Sequence, residues 1–174
     1  MGKIFYIMGK SASGKDTIYK ELIEKMPKFH SIVPYTTRPM REGEKDGVEY
    51  FFVDQERFDE MMDEEKIIEF RSYNTKCGIW TYFTADDGQI DLDSDNNYLY
   101  IGTLEAYKGM RKYYGEENVI PFYIYVEPGE RLSRAVERER RQENPKYTEL
   151  CRRFIADEED FSREKILEVG IDKI

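Results

Sequence analysis

The chain has 174 residues, with 27 lysines and arginines against 36 aspartates and glutamates, a formal charge of −9. That length fits one domain with room for an inserted lobe, and the acidity disfavours nucleic acid as main partner, because phosphate backbones call for a basic face. One histidine and two cysteines, Cys77 and Cys151, argue against Ser-His-Asp or Cys-His catalysis, a disulfide framework or a zinc site.

In chain order, Lys3–Met8 reads as a short buried strand ending at Gly9. Ile18, Leu22, Ile23 and Met26 form a helical stripe over Gly14–Met26 that Pro27 stops. Ile32-Val33 suggests a second strand, followed by a polar stretch from Pro34 to Glu49 and a strand at Tyr50–Val53. Asp54 is placed as the N-cap of a helix burying Phe58, Met61 and Met62, with Val53 against Phe58 as a hydrophobic staple. Ile67–Phe70 and Gly78–Thr84 read as strands, Ala85–Asn97 as an acidic loop, and Tyr98–Ile101 as another strand. Thr103 caps a helix ending near Gly115, and Val119–Val126 is the most β-prone run. Pro128 opens a helix with Leu132, Ala135 and Val136 on its buried side. Asn144-Pro145 opens the next, with Tyr147, Leu150, Cys151, Phe154, Ile155 and Phe161 on one face.

Strands alternating with helices predict an α/β fold, a parallel sheet flanked by helices. No apolar run reaches the ~20 residues of a membrane span, and the N-terminus lacks a signal core. A cytoplasmic setting with no membrane partner is the expectation.

Gly9-Lys10-Ser11-Ala12-Ser13-Gly14-Lys15 fits G-x-x-x-x-G-K between a strand and a helix. Glycines there let successive backbone N–H groups turn onto a phosphate chain, the helix N-terminus adds partial positive charge, and the lysine reaches the terminal phosphates. Ser11, Ala12, Ser13, Gly14, Lys15, Asp16 and Thr17 are therefore the candidate ATP-binding residues. Asp16 stands where Ser or Thr usually binds Mg²⁺, and Thr17 follows it, so either is a candidate metal ligand.

Further on, Arg38 and Arg41 lie three residues apart in a polar loop with Tyr50 nearby. Such a set suits a phosphate held by charge-assisted bonds and a phenol. On chemistry alone it suits a solvated surface loop as well.

The order T-T-R-x-x-R-x-G-E-x-x-G-x-x-Y over residues 36–50, at this distance from a P-loop, resembles guanylate kinase. The resemblance covers most of residues 3–160. It implies a core of residues 1–33 and 98–174, an inserted β-rich lobe over 34–97 that binds GMP, and a helical lid at about 134–153. It also implies that Arg38, Arg41, Tyr50 and Tyr82 hold the GMP phosphate, that Glu69 reads guanine N1–H and the amino group, and that Thr84 stands beside the base. Arg141 and Arg153 are the lid cations it points to, joining Lys15 and Arg38 as catalytic candidates. Arg131, Arg134, Arg138, Arg140 and Arg152 lie on the same two helices, with Glu137–Arg141 spaced for an i,i+4 pair.

The sequence departs from that family at several positions. Pro34 stands in place of a serine, Phe83 in place of a glycine, and Tyr98–Thr103 carries no acid. Family members also continue into a last strand and helix that contact adenine, whereas this sequence stops at Ile174.

The implied reaction is transfer of the γ-phosphoryl group of ATP to GMP, with Mg²⁺ as cofactor and small nucleotides as partners. The alternatives are a P-loop kinase for another nucleoside monophosphate or small phosphate ester, and a non-catalytic module that binds a phosphorylated ligand.

Overall fold

The computed structural model describes residues 1–75 and 77–171; the C-terminal boundary placed at Ile174 lies outside them. Two four-stranded sheets organise the chain. The first contains β1 (Ile4–Met8), β2 (Phe29–Ser31), β7 (Asn97–Ile101) and β8 (Val119–Tyr123), in the order β2-β7-β1-β8. All its pairings are parallel, with Ile7 level with Ile101 and Phe122. The central strand β1 is buried along nearly its whole length, as a parallel strand covered on both faces must be. Ile4, Tyr6 and Met8 pack with Tyr98, Tyr100, Tyr107, Met110 and Val119.

The second sheet contains β3 (Tyr35–Thr36), β4 (Phe51–Phe52), β5 (Ile67–Thr75) and β6 (Gly78–Ala85), in the order β4-β3-β6-β5. Its small core holds Phe58, Met61, Phe83 and Ala85. Phe58 and Met61 come from α2 (Gln55–Asp63), where Asp54 accepts from the Arg57 N–H as N-cap and Val53 packs into the same cluster.

The remaining helices are α1 (Lys15–Lys25), α3 (Leu104–Tyr114), α4 (Pro128–Arg140), α5 (Tyr147–Asp160) and α6 (Arg163–Glu168). Thr103 caps α3 by accepting from the Ala106 N–H, and Gly115 ends it. No helix among the described residues is long and apolar enough to cross a membrane.

Several expectations shift. The second strand falls at Phe29–Ser31 instead of Ile32-Val33, although the Ile32 N–H still bonds to Leu99 O. Met62 and Leu132 are exposed, and the sides of α4 that go inward carry Arg131, Ala135 and Glu139. No residue of α5 is fully buried, with Tyr147 and Ile155 open to solvent. Its apolar stripe is only partly covered, with Phe154 half-buried beneath the Arg131 guanidinium.

Candidate active site

The loop between β1 and α1 follows from local geometry. A Cβ on Gly9 would lie 2.8 Å from the Ile124 carbonyl oxygen and 3.0 Å from Ser13 Oγ, so only glycine fits. Gly14 has φ +84° and Ala12 has φ +62°. The first is free for glycine, whereas the second costs an alanine on the order of 1 kcal/mol. Side chains from α4 and α5 hold the strained segment. Arg131 Nε donates to Ser11 O at 3.0 Å, and the Ser11 N–H donates to Asp157 at 2.7 Å.

Arg131 is 1% exposed and pairs with Glu158 at 2.9 Å, while its guanidinium lies 4.8 Å over the Phe154 ring. Lys10 meets the same Glu158 at 2.6 Å. Arg131 is thus a buried brace of the loop rather than a solvated lid cation. Lys15, Asp16 and Thr17 lie in the first turn of α1, Lys15 half-buried and the other two exposed.

On the second sheet, residue alternation separates two faces. Phe83 pairs opposite Tyr35 and Phe70, stacks on Tyr35 and meets Phe58 edge-on, on the α2 side. It fills the lobe core and does not face the candidate site. The opposite face collects Glu69, Arg71, Thr84, Tyr82 and Thr36, with Glu69 level with Thr84 and Arg71 and Thr36 each level with Tyr82.

At one end of this face Arg38, 3% exposed, grips Glu44 through both terminal nitrogens at 2.8 and 2.6 Å. Its guanidinium lies 5.3 Å from the Tyr50 ring centroid, and Tyr50 packs edge-on against Tyr82 at 5.7 Å. The bonds from Arg38 hold the Glu44 carboxyl down at about 2. Arg41 stays exposed and meets Glu44 through its backbone, its N–H donating to the Glu44 carboxylate and its carbonyl accepting from the Glu44 N–H. The structure therefore gathers Arg38, Tyr50 and Tyr82, with Arg41 on the neighbouring loop.

At the other end, Thr84 Oγ1 donates to Glu69 Oε1 at 2.7 Å and accepts from Tyr100 at 2.7 Å. Arg71 Nη1 donates to Glu69 Oε2 at 2.7 Å. Burial pushes the Glu69 carboxyl above its ordinary value, opposed by Arg71 and the Thr84 hydroxyl. Helix α3 approaches so closely that a Cβ on Gly109 would sit 2.4 Å from Glu69 Cβ. Sequence reasoning missed Arg71 and Tyr100. The i,i+2 spacing of Arg71 from Glu69 on a strand was the available signal for the first.

Arg138, Arg141 and Arg153 are exposed on α4, at its C-cap and on α5. The i,i+4 pair on α4 is Glu130–Arg134, at 2.8 Å, rather than Glu137–Arg141. No group of three or more His, Cys, Asp or Glu side chains among the described residues could hold a metal ion. A magnesium ion on a nucleotide needs only one or two protein oxygens, since phosphates and water fill its other positions. The exposed carboxylate of Asp16 and hydroxyl of Thr17 fit that demand.

Comparison with known proteins agrees. The family model described as "Guanylate kinase" matches residues 1–168. A guanylate kinase of Helicobacter hepaticus is 34% identical over 116 residues, which is 66% of this chain and 56% of that protein. One of Legionella pneumophila is 44% identical over 68 residues, 39% of this chain and 32% of that protein. The chain thus spans about half the length, or less, of these curated relatives. The fold matches the crystal structure of guanylate kinase from Anaplasma phagocytophilum with a TM-score of 0.57, at 20% identity, over 99% of this chain and 97% of that one. With the family model covering nearly the whole sequence and the phosphate loop and arginine-tyrosine lobe both in place, the chain belongs to the guanylate kinase family.

Proposed function

We propose that the protein transfers the γ-phosphoryl group of ATP to GMP, yielding ADP and GDP. The observation that carries this reading is the bond between Thr84, on the lobe, and Tyr100, on β7. Strand β7 lies beside β1, whose end feeds the Gly9–Lys15 loop, so the Glu69–Thr84 end of the second sheet is tied to the strand next to that loop. The carboxyl end of a parallel strand is where open α/β sheets take their ligands.

In this reading the Ser11–Thr17 segment and the α1 N-terminus cradle the ATP phosphates through backbone N–H groups other than that of Ser11, which donates to Asp157, and Lys15 neutralises the terminal phosphates. Asp16 or Thr17 would hold Mg²⁺, which when bound would supply positive charge against the phosphates. Arg38, Arg41, Tyr50 and Tyr82 grip the acceptor phosphate, while Glu69 and Thr84 read the base. No strong general base is needed, because the GMP phosphate is already an anionic nucleophile. Catalysis is positioning plus electrostatic stabilisation, completed by Arg141 and Arg153 as α4 and α5 close over the transferred group.

The test is ADP release, coupled to an absorbance readout, across GMP, dGMP, AMP, CMP, UMP and IMP. GMP and dGMP are expected to lead. Comparable rates on every nucleotide would remove the role given to Glu69. Lack of turnover together with negligible ATP binding would identify a binding module instead.

A further inference from the structure

Arg71 lies on the same face of the second sheet as Glu69, one side-chain repeat further along β5. The two side chains are 11% and 7% exposed, so this ion pair is withdrawn from water. Both carboxylate oxygens are fixed in order. Oε1 is held by the Thr84 hydroxyl and Oε2 by Arg71 Nη1. Arg71 Nε is buried with no hydrogen-bond partner among the described residues. A buried guanidinium N–H left unpaired is costly, and its natural complement is a carbonyl-type acceptor.

Read along the sheet, the side chains present acceptor, acceptor, donor: Glu69 Oε1, Glu69 Oε2, then Arg71 N–H. That is the pattern on the pairing edge of cytosine. Its complement is donor, donor, acceptor, the edge formed by the guanine amino group, N1–H and O6. Adenine sets an amino donor against the arginine and an unprotonated N1 against the carboxylate, two like-to-like contacts.

We propose that Arg71 is a specificity-determining residue that donates to guanine O6, so that Glu69 and Arg71 together act as a protein-built cytosine edge. The inference rests on the guanylate kinase reading above and adds a residue to it. Glu69 alone leaves the 6-position of the base unread, whereas the pair reads all three groups.

The test compares GMP with 6-thio-GMP, which keeps N1–H and the amino group and replaces O6 by sulfur, a poor acceptor. Wild type and the Arg71→Met and Arg71→Lys variants are assayed for kcat/KM and, by calorimetry without ATP, for affinity. Wild type should favour GMP over the thio analogue. Arg71→Met should lose roughly ten- to hundredfold in kcat/KM for GMP, mostly through KM, and its preference between the two nucleotides should collapse towards unity. Arg71→Lys should restore part of the preference. The KM for ATP serves as the folding control.

If Arg71→Met keeps the wild-type preference while GMP turnover persists, Arg71 serves only to neutralise Glu69 and the proposal is overturned. A variant that binds GMP more tightly than wild type also overturns it, since Arg71 would then be competing with the base. Failure of the guanylate reading has a separate signature, namely wild type that neither binds nor phosphorylates GMP.

Discussion

The backbone N–H of Ser11 donates to the Asp157 carboxylate at 2.7 Å across 146 residues of sequence. This bond and the Arg131 contact to Ser11 O couple the start of the phosphate loop to the helices that carry Arg141 and Arg153. Loop conformation and the placement of α4 and α5 are therefore joined by a short path of hydrogen bonds.

Arg131→Met tests that brace. Arg131 is almost fully buried, but its partners Asp157 and Glu158 keep part of their surface in water, which softens the penalty of leaving them unpaired. A loss of about 2 kcal/mol in denaturant unfolding is expected, with a severalfold rise in KM for ATP. Unchanged stability would mean that the brace holds nothing.

Gly109→Ala sets helix propensity against crowding. Alanine in a helix gains about 1 kcal/mol over glycine. Here its Cβ would press on Glu69 Cβ at 2.4 Å, close to the backbone of β5, where little can yield. Crowding should win, with a net loss of about 1–2 kcal/mol. Because the displaced group is Glu69, KM for GMP should rise while KM for ATP stays put.

Glu44 gives a pH dependence whose sign is fixed. Its folded-state value is lowered from 4.5 to about 2 by the bonds from Arg38. The resulting stabilisation is present above 4.5 and fades as pH falls through about 2. Allowing for solvent screening it amounts to about 1–2 kcal/mol. Acid unfolding curves of Glu44→Gln should start from lower stability at neutral pH and lose less than wild type between pH 4.5 and 2.

Arg141 and Arg153 are exposed, so replacing either with alanine should barely move the thermal midpoint. Turnover should fall at least about tenfold, in kcat more than in KM, if their charge serves the transition state. Equal kcat in both variants and wild type would remove them from the mechanism.

Much of this was legible in the sequence, because local signals settle local structure. Asp54, Val53 and Phe58 set the start of α2, Thr103 and Gly115 bound α3, and the glycine–lysine spacing locates the phosphate loop. What escaped depends on partners distant in sequence. The β3 strand is only two residues long and exists because β4 and β6 flank it. Arg131 reads as one more surface cation until Glu158 and Asp157 fold over it. Phe83 reads as a departure from the family's glycine beside the site until the register of β6 against β3 turns it to the other face.

The Tyr100–Thr84 bond also sets the mechanics of the lobe. It fastens the Glu69 end of the second sheet to the parallel sheet, while Thr36 pairs two residues away and Arg38 lies further out still. A rotation of the second sheet about that anchor would work as a lever with its fulcrum beside Glu69, so Arg38 would sweep the longer arc while the Glu69 carboxylate hardly travels.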